Sequence, residues 1–333
     1  MGYLIKSAYN QISLLNQRVD INTAIEDKNI DENQKKKLAL TLKVRDFAEK
    51  ELGLNVKKNY STFVKLDRPY VSYVVSAAPK WKLEPYLWSF PIVGKLPYKG
   101  YFSEHEASEE ATLLKEKDLD VYVRGVSAYS TLGWFNDPLL SSMLSYKEHD
   151  LVNTIIHESV HATLFIKSEA DFNERLATFI GNKGMELFYQ ALEGAESPTL
   201  ALVKQENTDE ELFSRFITEE LNSLESWYEK LTDKDRNDEN RNKKFDEIKL
   251  KFKNQIASKL QTDSWKKFSN SQLNNARLLV FKTYMKDLAD FEELYLLKKN
   301  NIKDFIEESK KLEKVKDPST KLKIRIKELQ NST

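Results

Sequence analysis

Apolar residues recur at helical spacing along most of this chain, and the main exceptions fall together between residues 60 and 135. Residues 3–18 carry Leu4, Ile5, Ala8, Ile12 and Leu15 in the pattern of an amphipathic helix. Asp31 stands where an N-cap would open a second helix, with Leu38, Leu42, Val44, Phe47 and Ala48 on its apolar side and Gly53 just past its end. From 60 to 88 the pattern shifts to β-branched and aromatic residues, which predicts a small antiparallel sheet. Residues 90–102 are rich in Pro and Gly and read as an irregular but structured loop. A helix over about 108–117 and a strand over 120–126 follow. After Ser197-Pro198 the spacing is helical to the end. One long helix runs through Leu212, Phe216, Leu224 and Trp227, and a mixed-charge run over 231–244 reads as an exposed helix end or mobile loop. Further helices are expected over about 245–260, 273–297, 302–312 and 322–329. The pattern thus predicts an α+β, predominantly helical protein with a small antiparallel sheet. Its parts are residues 1–196, carrying the chemistry, and a helical C-terminal part, 197–333, packing on the site.

One helix stands apart. Leu151, Val152, Ile155, Ile156, Val160 and Leu164 keep helical spacing with no Gly or Pro between them. Within it lies His157-Glu158-Ser159-Val160-His161, which holds two of the chain's four histidines. Residues i and i+4 share a helix face, so both imidazoles can bind one tetrahedral zinc. Glu158 then stands beside the metal without being a ligand. This is the H-E-x-x-H arrangement in which the glutamate acts as general base.

A catalytic zinc needs a third protein ligand. Downstream stand Glu169, Asp171 and Glu174. If the metal helix climbs to about Lys167, turns, and a second helix descends from about Ser168, equal rise per residue brings Glu174 level with His161. Ala177, Gly181 and Gly184 are small at spacings of three and four and would let the two helices approach closely. Asp171-Phe172-Asn173-Glu174 also reads as a capping box, in which Glu174 would bond a backbone N–H instead.

Composition narrows the classes. The chain has 333 residues, 40% hydrophobic and 31% charged, with 52 basic and 52 acidic residues. Zero net charge gives no reason to expect nucleic acid or an anionic membrane as partner. No run of apolar residues is long enough for a transmembrane helix. The absence of cysteine excludes disulfides and thiolate ligands. No signal-peptide core follows Met1, which leaves a cytoplasmic protein or one whose leader has been removed.

Other residues are candidates for the same chemistry. Residues 129–138 could form a sheet edge along which a peptide substrate adds its backbone through Thr131, Leu132 and Gly133; a core-packing aromatic turn is the alternative. Tyr129 and Tyr284 are candidate donors to the developing oxyanion. Asp137 could receive a free α-ammonium, although an acid before Pro is also a common turn residue. Asn274 and Asn275 head an apolar helix, where they either cap it or point toward the site.

Several stretches together resemble a family of bacterial aminopeptidases predicted to be zinc metallopeptidases. They are Tyr98-Lys99-Gly100-Tyr101-Phe102, the segment from Ala128 to Pro138, and His157-Glu158-Ser159-Val160-His161-Ala162-Thr163, followed by Phe172-Asn173-Glu174 and Leu273-Asn274-Asn275-Ala276-Arg277-Leu278, in collinear order over most of the chain. The resemblance implies one Zn²⁺ per chain on His157, His161 and Glu174, with Glu158 catalytic, in a zincin-like fold acting on peptides. It also implies a mature domain that follows a secretion or lipoprotein leader, hence a bacterial envelope location with a possible lipid anchor. Twelve residues separate His161 from Glu174, fewer than in well-known peptidases with two histidines and a distant glutamate, so specificity residues do not carry over. The competing expectation is a zinc-stabilised envelope scaffold whose peptidase activity is lost or very narrow.

Overall fold

Helices form where the apolar spacing predicts them, joined by short strands, in a computed structural model that describes residues 2–90, 94–128, 136–284 and 288–331. The first elements are α1 (Gly2–Leu15), β1 (Val19–Asp20), α2 (Ile21–Glu26), α3 (Glu32–Lys50), β2 (Thr62–Val64) and β3 (Ser72–Pro79). Next come β4 (Trp88–Phe90), β5 (Gly94–Leu96), β6 (Tyr98–Tyr101), α4 (Glu104–Glu116), β7 (Leu119–Val126) and β8 (Leu139–Leu140). The remainder is helical: α5 (Glu148–Thr163), α6 (Ala170–Glu193), α7 (Pro198–Lys230), α8 (Asp238–Gln255), α9 (Asn275–Tyr284), α10 (Ala289–Leu297), α11 (Ile302–Lys310) and α12 (Pro318–Gln330). The protein is therefore α+β and predominantly helical. No helix among the described residues is long and apolar enough to cross a membrane.

The chain folds into two compact units. One comprises Met1–Val71, Gly125–Ser197 and Asp287–Thr333; the other comprises Ser72–Arg124 and Pro198–Lys286. The expected division near residue 196 falls at one of four crossings, so each unit gathers segments that are distant in sequence.

The first unit is built on α5 and α6, with α3 against α5 and with α10 and α11 against α6. Its core includes Leu38, Val44, Leu151, Ile155, Ile156, Phe172, Leu176 and Phe179. Phe179 lies 4.9 Å from Phe305 and 5.9 Å from Phe291, centroid to centroid. Asp31 caps α3 as expected, its side chain accepting the Gln34 N–H at 2.9 Å. A three-stranded sheet β1-β2-β8 pairs Val19 with Phe63 antiparallel and Phe63 with Leu139 parallel.

The small residues of α6 allow its close approach to α5. A Cβ at Gly184 would meet Leu52 Cδ1 at 2.8 Å and Ile156 Cγ2 at 3.0 Å. At Gly181 it would meet Asn153 Oδ1 at 3.1 Å and the His157 Cβ at 3.4 Å. Overpacking of this kind costs about 1–3 kcal/mol, offset in part by the better helix propensity of Ala. We expect Gly184→Ala to destabilise the protein by about 1–2 kcal/mol in denaturant titrations; a neutral or stabilising result would show that the interface has slack.

At the C-terminal end Glu308 is nearly buried and accepts from Lys298 at 2.6 Å, Arg325 at 2.7 Å and Lys311 at 3.0 Å. Burial pushes its carboxyl up, but these three cations outweigh that and hold it at about 2, against an ordinary 4.5. A carboxylate depressed in the folded state contributes stability above its unfolded pKa and loses it as pH falls through the folded value. Solvent reaches Lys311 and Arg325, so the contribution is discounted to about 1–2 kcal/mol. Glu308→Gln should lower stability by that amount at pH 7, with the gap to wild type closing between about pH 4.5 and pH 2 in acid unfolding curves.

The second unit holds the sheet β6-β3-β7, in which β3 and β6 run antiparallel with Tyr73 opposite Tyr101 and Ser76 opposite Tyr98. Helices α4 and α9 pack on β3. An aromatic core joins α7 to the chain that follows α8, with Phe213 stacked on Trp265 at 4.0 Å. Residues expected as an irregular loop supply β5 and β6 instead. The backbone pairing of β6 with β3, and of Trp88-Ser89-Phe90 with Gly94-Lys95-Leu96, overrides the local effect of Pro and Gly. The helix expected over 273–297 is two helices, α9 and α10, and α8 begins at Asp238, where Asn237 caps it through the Asn240 N–H at 2.9 Å.

Candidate metal centre

Helix α5 carries its chemistry on one stripe and its packing on the rest. Leu151, Val152, Ile155 and Ile156 are fully buried. Ser159 and Thr163 return their hydroxyls to the carbonyls of Ile155 and Ser159, at 2.6 and 2.7 Å, so the buried helix leaves neither hydroxyl unpaired. His157 and His161 lie one turn apart, with ring centroids 5.0 Å from each other.

The connection from α5 to α6 differs from a tight two-helix turn. Helix α5 stops at Thr163 and α6 starts at Ala170, with Leu164 extended and Ser168 at φ +66° between them. The N-cap of α6 is Glu169, and no side chain caps it, so the alternative of a capping box at Glu174 is not formed. The Glu174 carboxylate faces the imidazoles instead, with Oε2 3.5 Å from His157 Nε2 and Oε1 3.5 Å from His161 Nε2.

These separations are too long for strong hydrogen bonds. They match the edges of a coordination tetrahedron, because donors held about 2.0–2.1 Å from one zinc ion lie roughly 3.4 Å apart. One ligand atom from each of His157, His161 and Glu174 lies within 4.8 Å of the other two. His161 is almost wholly buried, while the Glu174 side chain is 36% exposed, so the donor set meets solvent on the carboxylate side. The donor set fits zinc by type, spacing and access.

The electrostatics suit two of the three donors. Burial, reinforced by His157, drops the His161 imidazole to about 4 from 6.5. Burial also pushes His157 down, but its bond to Glu174 and the charge of Glu158 outweigh that and raise it. Burial pushes Glu174 up, and the two histidines more than reverse it. At neutral pH the site therefore offers a lone pair on His161 and a carboxylate on Glu174, which are the forms a metal requires. His161 Nδ1, the nitrogen turned away from Glu174, is buried without a hydrogen-bond partner among the described residues.

A residue without a sequence signal lies in the same unit as the donor set. Tyr60 is buried and holds φ +54°, a costly conformation for a bulky side chain. Its N–H donates to the Asp137 carbonyl at 2.6 Å, and the Asp137 N–H donates to Asn59 Oδ1 at 2.9 Å. Arg45 holds the same loop through the carbonyls of Asn59 and Lys57. The loop is tied to α5 by the Asn55 N–H, which donates to Thr163 Oγ1 at 2.8 Å. Burial above all, and then the charges of Glu158 and Asp137, push the Tyr60 phenol well above its ordinary value. Its environment therefore favours the protonated phenol.

Of the other candidates, Asp137 is buried in the same unit as the histidines. Tyr129, Thr131, Leu132 and Gly133 lie outside the described residues, as does the side chain of Tyr284 at the end of α9. Asn274 and Asn275 belong to the other unit, where their amides are spent internally. Asn274 caps α9 through the Arg277 N–H at 2.8 Å and donates to the Val121 carbonyl at 3.0 Å. Asn275 accepts from the Tyr228 hydroxyl at 2.8 Å and donates to the carbonyls of Pro79 and Lys80.

The model of a family described as "Putative aminopeptidase" aligns with residues 2–324. No curated protein and no solved structure matches the chain.

Proposed function

The chain belongs to the "Putative aminopeptidase" family, and from that premise we propose that it is a zinc-dependent, zincin-like metallopeptidase that removes residues from the free N-terminus of peptides. The observation that carries this reading is the donor set of His157, His161 and Glu174, two of whose edges measure 3.5 Å, with Glu158 on the same helix turn. Zinc bound there supplies Lewis acidity, polarising a carbonyl and lowering the pKa of water toward about 7.

The chain's own residues do the rest. His157 and His161 hold the metal from one helix, and Glu174 holds it from the next. Glu158 takes a proton from the attacking water and returns it to the departing amine. Tyr60, neutral and close enough to feel the charge of Glu158, donates its phenolic hydrogen to the carbonyl oxygen as that oxygen gains charge. Asp137 is the carboxylate assigned to the substrate α-ammonium. In support, its charge and that of Glu158 both act on the Tyr60 phenol.

A pool of synthetic peptides incubated with the zinc-loaded chain and read by mass spectrometry tests this assignment. Single residues should leave free N-termini, and N-acetylation should protect. Internal fragments would mean an endopeptidase. A fully zinc-loaded chain that cuts nothing would favour a zinc-stabilised binding scaffold.

A further inference from the structure

Three successive residues at the start of α6 fix its rotation in three directions, and we propose that the outer two, Asn173 and Arg175, are positioning residues that deliver the Glu174 carboxylate to the imidazoles as a pre-set metal ligand. This rests on the reading of the site as a zinc centre.

Asn173 is buried, and its amide makes a closed pair of bonds with one residue of the connection. Its Oδ1 accepts the Ile166 N–H at 2.9 Å, and its Nδ2 donates to the Ile166 carbonyl at 2.8 Å. Ile166 is itself buried, so losing the amide would strand two backbone groups away from water. On the other side of Glu174, Arg175 Nη2 donates to Asp290 Oδ1 on α10 at 2.5 Å, and its guanidinium lies 5.1 Å from the centre of the Phe291 ring.

Successive helical residues point about 100° apart. Asn173 therefore faces the connection, Glu174 faces α5, and Arg175 faces α10. A slip of one residue would turn the carboxylate by that angle and move it about 1.5 Å along the axis, out of reach of both Nε2 atoms. The N-cap contributes little to this control, because Glu169 makes no side-chain cap bond and Ser168 takes a left-handed turn. Metal-bound histidines are commonly oriented by a partner on the far nitrogen. His161 Nδ1 has none among the described residues, so the geometry of the donor set depends all the more on how α6 is held.

The test is zinc affinity of the full chain, measured by competition with a chromogenic chelator, alongside the melting temperature of the metal-free protein. Asn173→Ala should weaken zinc binding by about 10-fold, the low end of what losing support behind a metal ligand costs. Asn173→Asp, which keeps the acceptor for the Ile166 N–H, should recover part of that affinity, and it carries the test if the alanine variant does not fold. In a Glu174→Ala background, Asn173→Ala should cost no further affinity, because it acts through Glu174. Arg175→Lys, which loses the planar fork, should weaken binding in the same sense. Affinity within twofold of wild type for the Asn173 variants, with only the melting temperature lowered, would overturn the proposal. So would an equal loss in the Glu174→Ala background. Wild-type protein that binds no zinc would instead overturn the functional reading, and this inference with it.

Discussion

Replacing Glu158 with Gln is expected to lower peptide turnover by about 10²- to 10⁴-fold, the span usual for loss of a general base, while leaving zinc bound at wild-type affinity. Gln has nearly the same shape and keeps one acceptor, so α5 and its imidazoles stay in place. What disappears is basicity, since an amide neither takes the water proton nor returns it to the amine. Parallel measurement of turnover and metal content separates this from collapse of the site. A variant that cleaves at the wild-type rate would remove Glu158 from the mechanism; one that loses both zinc and activity would make it a structural support of the centre.

Tyr60→Phe is expected to reduce kcat by about 10²- to 10³-fold, as removal of one oxyanion donor does, with KM nearly unchanged. The substitution deletes a single hydroxyl. The left-handed backbone at Tyr60 and the bond of its N–H to Asp137 remain, so a change in folding is not the expected readout. A donor that meets the oxygen only as charge develops affects kcat rather than ground-state binding. A rise in KM at constant kcat would assign Tyr60 to substrate binding, and unaltered kinetics would leave its strained conformation a feature of the loop alone.

These two residues mark how far the proposed site can be read from the chain. Glu158 and its histidines are legible because helix periodicity and i, i+4 spacing are local properties. The nearness of Glu174 follows from rise per residue, although α5 ends four residues before Lys167 and α6 begins two after Ser168. An error in rise shifts the ligand only along the axis, while an error in rotation turns it away from the imidazoles. The rotation of α6 is set by Asn173 on Ile166 and Arg175 on Asp290, contacts that no periodicity encodes. Tyr60 was illegible for a similar reason. Its place depends on Asp137 and Thr163, both far along the chain, and on a positive φ that its residue type disfavours. The strands within 90–102 were hidden because β6 exists through its pairing with β3. The interleaved units escaped because 72–124 and 198–286 join through contacts between distant segments.

The central claim is a zinc ion held between α5 and α6. Its most direct test is equilibrium titration of the metal-free chain with Zn²⁺, read by calorimetry and by elemental analysis after gel filtration. The account predicts one tightly held ion per chain, with binding strongly weakened in His157→Ala, His161→Ala and Glu174→Ala. A folded wild-type chain that retains no zinc, or one whose binding is undiminished in those three variants, would contradict it.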